Sequence, residues 1–314
     1  MEFNDFCNEI RDNIGEYLLG YDFDNIQLQE VTHNNNTTHM GLLISRSEVN
    51  VAPTIYMEQY YKQYQDTGDM DAVIKEIAET YKASLESTND LRTEIFNQKE
   101  QYFSNCYLKV VNYEKNKDML QDVPYKKYMD LAVTIRMLVR VDETGMASAI
   151  VTHDHTARLG INEKDLYAAA LKNTEFLFPV RIDKLEDVIR NLDSFGLAQE
   201  ELPDTGIYVL SNLPRIAGAT SILYAQDQIT ELAEEHGCGF YIVPSSTREV
   251  LLCPDNDEMD PEMLQRTAME VNEYVVSDTE FLSNSIYHFD KDSREIKMEL
   301  PDPQIDDRQN QRRI

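Results

Sequence analysis

The stretch LAVTIRMLVRVDETGMASAIV, residues 131–151, decides the class of fold. Two apolar runs, 131–141 and 146–151, flank Asp142-Glu143-Thr144-Gly145, a turn sequence. Two strands joined by so short a connection pair antiparallel, as a hairpin. Outward from it the pattern recurs. Residues 240–243 and 249–252 flank a connector at 244–248, and 285–289 and 295–299 make a closing pair. Near the start, 26–31 and 40–46 are joined by the polar run 32–38. Single strands are expected at 207–210 and 220–225, and Tyr107 to Val111 reads as a strand or a helical stretch.

Between these lie helices with apolar residues at three-and-four spacing. Phe3, Phe6, Cys7, Ile10 and Ile14 mark the first. Asp69 can cap the next, whose face is Met70, Val73, Ile74, Ile77, Ala78, Tyr81 and Leu85. Asn162 caps a helix holding Leu166, Ala169 and Ala170, and Asp183 is expected to open one with Leu185, Val188 and Ile189 inward. Ile229, Leu232 and Ala233 define another, stopped by Gly237. Asp260-Pro261 is a helix start, with an expected inner face of Met263, Leu264, Ala268, Val271, Tyr274 and Val275. The fold class is therefore α+β, antiparallel hairpins packed with amphipathic helices. Hairpin followed by helix occurs twice after residue 130, which raises a structural duplication. The expected organisation is an N-terminal α+β domain at 1–120, a C-terminal α+β domain at 121–300, and a disordered tail at 301–314.

Charge sets the partners. The 314 residues include 57 acidic side chains against 29 Lys plus Arg, a net charge of −28. Nucleic acids and anionic membranes are bound by clusters of Lys and Arg, which are absent here, so neither is an expected partner. A protein partner with a basic surface is. Residues 255–280 concentrate this character, with nine carboxylates and one arginine, Arg266. No run approaches a membrane span and the start lacks a signal-peptide pattern, so four scattered cysteines point to reduced thiols in a cytoplasm.

Chemistry is sparsely marked. With 11 glycines, nothing matches a phosphate-cradling or dinucleotide loop, and no cofactor is expected. His153-Asp154-His155 is the most chemical-looking tripeptide. On an extended chain His153 and His155 share a face, as half of a zinc site or an acid/base pair. The competing reading is a strand-to-helix connector. No metal set is marked by spacing. Cys238 and Cys253 lie symmetrically about Ser245-Ser246, opposed across a symmetric hairpin or merely buried as small hydrophobes. Tyr56, Tyr60 and Tyr64 recur every four residues with Tyr61 beside them. They form a partner-binding patch or a packed helical stripe.

The residues Ser246-Thr247-Arg248-Glu249-Val250-Leu251-Leu252, Met263, Glu270-Val271-Asn272, Leu282-Ser283-Asn284-Ser285-Ile286-Tyr287 and Pro53-Thr54-Ile55-Tyr56 carry a resemblance. From about Phe3 to Phe289 the chain resembles an uncharacterised bacterial family, a domain of unknown function common in anaerobic gut Firmicutes. Val151-Thr152-His153-Asp154-His155-Thr156-Ala157 and the later hairpin are similar to a second, bacillus-type family, also without assigned function. The resemblance implies a bacterial cytoplasmic protein and supplies no catalytic residue. The reading that follows is a non-catalytic interaction or regulatory protein. Its alternative is a metal-assisted hydrolase using His153, Asp154 and His155.

Overall fold

The computed structural model describes residues 1–46, 53–88, 93–142, 145–192, 203–213, 216–256 and 259–304. They divide into two units, 1–98 with 139–147 and 99–138 with 148–314. Residue 120, where the sequence suggests a boundary, lies inside the second unit.

The first unit opens with α1, Phe3–Asn13, continued by a 3-10 turn, Ile14–Leu18. Strands β1, Asn25–Thr32, β2, Thr38–Ser45, and β3, Thr54–Tyr56, form an antiparallel sheet in that order. Asn35 and Asn36 turn the β1–β2 connection with φ of 62° and 57°, a left-handed conformation that asparagine tolerates better than most residues. Helices α2, Glu58–Thr67, and α3, Met70–Thr88, follow. Asp69 caps α3 as expected, accepting from the Ala72 amide at 3.0 Å. The spacing of apolar residues predicts the face that α3 buries: Val73, Ile74, Ile77, Ala78, Tyr81 and Leu85 join Phe6, Ile10, Leu42, Ile44 and Ile55 in one core. At about 1.5–3 kcal/mol per fully buried large side chain, this core is the unit's main stabilising term.

The second unit holds α4, Lys99–Asn105, β4, Cys106–Asn112, β5, Tyr125–Tyr128, β6, Leu131–Asp142, and β7, Gly145–Ile150. The hairpin of the opening stretch is present, and its tip, 139–147, groups with the first unit. Residues 106–112 are thus a strand, ending that ambiguity. Strand β6 pairs with β4, β5 and β7 in a four-stranded sheet. Next come α5, His153–Arg158, α6, Glu163–Leu177, β8, Val180–Lys184, α7, Leu185–Leu192, and β9, Tyr208–Asn212. Then α8, Gln226–His236, β10, Phe240–Val243, β11, Val250–Pro254, α9, Pro261–Tyr274, β12, Ile286–Asp290, and β13, Glu295–Leu300. A six-stranded antiparallel sheet runs β13-β12-β10-β11-β9-β8. The α+β class with antiparallel sheets is what the sequence indicates. Of the two hairpin-helix units, one lies in the four-stranded sheet and the other in the six-stranded sheet.

Several expectations fail, and each failure has an identifiable contact behind it. Asp183 does not open a helix: it lies in β8 opposite Val209, and α7 starts two residues later with Ile189 exposed. Residues 220–225 are not a strand, because Gly218–Leu223 coils as a 3-10 turn. That turn runs so close to Arg248 that a Cβ on Gly218 would stand 2.0 Å from the Arg248 carbonyl oxygen. The tail expected from 301 onward is pinned at its first residues, where Gln265 donates to the Pro301 carbonyl and the Asp302 amide donates to Ser285 Oγ, both at 2.9 Å. Residues 305–314 lie outside the described residues.

Helix α9 differs most from its reading. It rests on the sheet through Leu264 and Ala268, against Val243, Cys253, Ile286 and Leu300. Asn272 is buried one turn on. Leu264, Ala268 and Asn272 are spaced by four and share one face. Met263, Val271, Tyr274 and Val275, expected inside, are 62%, 43%, 81% and 76% exposed.

Candidate functional site

His153 and His155 do not converge. Residues 153–158 are helical, so two positions apart means different sides rather than a shared face. His155 belongs to the start of α5. Its amide donates to Thr152 Oγ1 at 3.2 Å, and its Nδ1 accepts from the Thr152 amide at 3.3 Å, the reciprocal pattern of a capping box. Burial and the neighbouring Arg158 lower its pKa. His153 Nδ1 instead lies 2.7 Å from Glu163 Oε1, which also accepts from Thr156 Oγ1 at 2.9 Å. Asp154 is exposed. His153 and Glu163 border a cavity of about 290 Å³ with Val123, Tyr125, Lys126 and Tyr167, where the Lys126 ammonium sits 3.5 Å from the Tyr167 ring centroid. The segment thus supplies one imidazole–carboxylate pair. Among the described residues no group of three or more His, Cys, Asp or Glu is placed to hold a metal ion.

The tyrosines fall into two settings. Tyr56 is on β3, outside the helical stripe, with its ring 4.9 Å from His33 and 5.8 Å from His39. Tyr60, Tyr61 and Tyr64 are on α2 and face the first unit's core. Tyr60 is buried with its hydroxyl 3.0 Å from Thr80 Oγ1, Tyr61 packs on Phe3 and Phe6, and Tyr64 packs on Phe6. Cys238 and Cys253 are not opposed. The observed register sets Tyr241 across from Cys253, because the connection between β10 and β11 is not symmetric about Ser245-Ser246. Burial pushes the Cys253 thiol up to about 12, which leaves it an inert thiol at neutral pH.

Two polar clusters went unread. In the first unit His33, His39, Tyr56 and Glu58 meet. The two imidazoles are 5.1 Å apart, His39 Nδ1 is 3.5 Å from Glu58 Oε2, and Glu58 Oε1 accepts from the Met40 amide at 2.7 Å. His33 Nε2 is buried without a hydrogen-bond partner. In the second unit Asp130 accepts from three hydroxyls. Ser285 bonds it at 2.9 Å, and Ser283 and Tyr287 bond it more closely. The Ser283, Ser285 and Tyr287 spacing of two was a readable signal, since it aligns three hydroxyls on one face of an extended segment. Burial and Asp130 hold the Tyr287 hydroxyl well above its usual pKa, so it remains a donor.

Beside this network lies a groove of about 580 Å³ along α9, lined by Lys115, Arg266, Glu270, Asn272, Glu273 and Phe281 among others. On the helix next to it, Met263, Thr267, Val271 and Tyr274 follow one another at four, four and three residues, so they form a single outward stripe. Glu262, Glu270 and Glu273 are exposed around that stripe with Arg266. Exposed apolar side chains thus run along α9 beside a row of charged ones.

An antiparallel α+β protein with this surface belongs to a family already delimited by sequence. The chain is a member of the family of unknown function DUF5688, matched over residues 3–291. Comparison with curated proteins gave no match, and comparison with solved structures gave none.

Proposed function

We propose that the protein is a non-catalytic interaction protein whose partner presents a basic surface with apolar side chains, and that the partner sits on the outward face of α9. The carrying observation is that Met263, Val271 and Tyr274 are left in solvent on a helix that packs on the sheet through a different face, with Val275 exposed at its end. Tyrosine and methionine are enriched at the centres of interfaces. The carboxylates around them, on a chain of net charge −28, favour a cationic counterpart and speed its approach at low salt. No helix among the described residues is long and apolar enough to cross a membrane, and all four cysteines are free thiols. Both features support the further proposal that this occurs in a reducing cytoplasm.

The test is site-specific photo-crosslinking in the native host. A photoreactive side chain replaces Tyr274, or, as a control, the equally exposed Phe176 of α6. A discrete adduct from position 274, weakened by added salt as exposed charges are screened, is the expected result. No adduct, or the same adduct from position 176, overturns the reading. An adduct twice the mass of the chain also does, because it identifies a second copy as the occupant.

A further inference from the structure

Asn272 is 8% exposed, yet its Oδ1 has no hydrogen-bond partner, and the residue lines the groove beside α9. An unmet buried acceptor costs about 1–3 kcal/mol, so its orientation needs a cause. The neighbours supply one. The Asp302 carboxylate faces Asn284 Nδ2 at 3.5 Å, which turns Asn284 Oδ1 toward Asn272. Asn284 Oδ1 then accepts from Asn272 Nδ2 at 2.9 Å, and the Ser283 carbonyl lies 3.4 Å from the same nitrogen. Both groups facing Nδ2 are acceptors. Rotating the amide would set oxygen against oxygen twice, so Oδ1 is held away from both acceptors and stays unpaired. The relay from Asp302 through Asn284 keeps one buried acceptor unpartnered on a residue that lines the groove.

The rest of the lining states what donor fits. Glu270, Glu273 and Asp278 give three carboxylates against Lys115 and Arg266. The aromatic wall already seats a cation, since the Lys115 ammonium lies 4.2 Å from the Phe281 ring centroid. An anion would meet a carboxylate majority and an unpartnered acceptor.

We propose that this groove receives the guanidinium of a partner arginine, with Asn272 Oδ1 accepting one N–H and the carboxylates of Glu270 and Glu273 balancing the charge. A guanidinium carries five N–H donors in a planar fork and can meet two such groups at once. This inference rests on the basic-partner reading given above and adds to it the side chain that anchors the partner.

The probe is N-acetyl-arginine amide, titrated against the full chain at low salt and followed by the backbone amide resonances of Glu273 and Phe281 in every variant, and by the side-chain amide resonances of Asn272 where that residue is present. Its uncharged counterpart, N-acetyl-citrulline amide, is the control. We expect the arginine probe to shift the Asn272 resonances and the citrulline probe to leave them unmoved. Asn272→Ala should weaken binding about tenfold, as expected for loss of a hydrogen bond to a charged group. Because that variant also removes an internal hydrogen bond, Glu273→Gln provides a second reading at an exposed position, with a two- to threefold loss expected at roughly one screened charge contact. Absence of binding, equal binding by all variants, or displacement of the probe by millimolar sulfate each overturns the assignment. Tyr274→Ser should not affect so small a probe. If Asn272→Ala leaves the probe bound while crosslinking at 274 persists, the groove fails and the interaction face stands. If the probe behaves as expected but crosslinking fails, the converse holds.

Discussion

Helices α3 and α9 have similar apolar content and opposite fates. Each carries large apolar side chains at helical spacing, but α3 lays its whole set into hydrocarbon, with Val73, Ile77 and Tyr81 fully buried. Helix α9 half-buries a leucine, buries an alanine and an asparagine, and presents Met263 and Tyr274 to solvent. The small Ala268 lets α9 approach the sheet closely. Asn272 then meets the Ser283 carbonyl and Asn284, groups that a hydrocarbon side chain would leave without a donor. The first unit is stabilised mainly by apolar burial. The second is threaded by polar groups: Asp130 under three hydroxyls, Asn112 donating to the Leu282 carbonyl at 2.8 Å, and Asn272. Periodicity alone therefore reports that a helix is amphipathic and not which of two apolar-containing stripes faces inward.

The largest expected effect tests that contrast directly. Ile77→Ala should destabilise the protein by about 2–5 kcal/mol, the usual range for opening a cavity in a packed core. Tyr274→Ala should stay within about 0.5 kcal/mol of the parent, as for an exposed position. Urea denaturation of both variants reads the difference. A loss at Tyr274 comparable to that at Ile77 would mean the α9 stripe is covered in the isolated chain, and the comparison would break.

Much of the fold was legible because local signals agreed with tertiary packing. Asp69, Asn162 and Asp260 cap helices where the sequence places caps, Gly237 ends α8 in the left-handed conformation, and the hairpins pair as their turns dictate. Most of the failures share one cause, that a partner distant in sequence decides. Asp183 carries a cap-forming side chain, but pairing with Val209 takes it into a strand. Tyr56 has the right spacing for the α2 stripe, but pairing with Gly41 takes it into β3. His153 and His155 looked convergent only while the chain was taken as extended. Asp130 lies more than 150 residues from the hydroxyls it collects, and no local pattern could join them.

A second, smaller effect sharpens the contrast through pH. Lys109 on β4 is part-buried in the polar interior of the second unit, and burial, then Arg136, push its pKa down from 10.5 to about 8. Glu280 opposes that shift. The unfolded chain holds this proton more tightly, so folding is disfavoured while the lysine is charged. Stability should rise as the pH climbs from about 8 to 10.5, by at most about 3 kcal/mol. Lys109→Met should remove that slope, measured as the difference between the two stability–pH curves. Parallel curves would show that the ammonium is solvated and that the second unit's interior is less enclosed than its hydrogen bonds indicate.

The smallest effect concerns the exception within the hydrocarbon-built first unit. His33 sits against His39 and Tyr56 with its Nε2 unpartnered, and its pKa is lowered by burial first and by His39 second, against a smaller raising influence of Glu58. The folded state thus prefers the neutral imidazole. Stability from this group is complete above the unfolded value near 6.5 and falls as the pH drops through it, levelling off below the folded value. His33→Gln should flatten that part of the curve while leaving the alkaline Lys109 slope in place, because the two groups belong to different units. Thermal melts of the variant and parent between pH 7.5 and about 4.5 read the effect, which spans the ordinary titration range of a histidine. If the variant follows the parent, the surroundings of His33 accommodate the proton. The cluster would then tolerate a charged imidazole rather than exclude one.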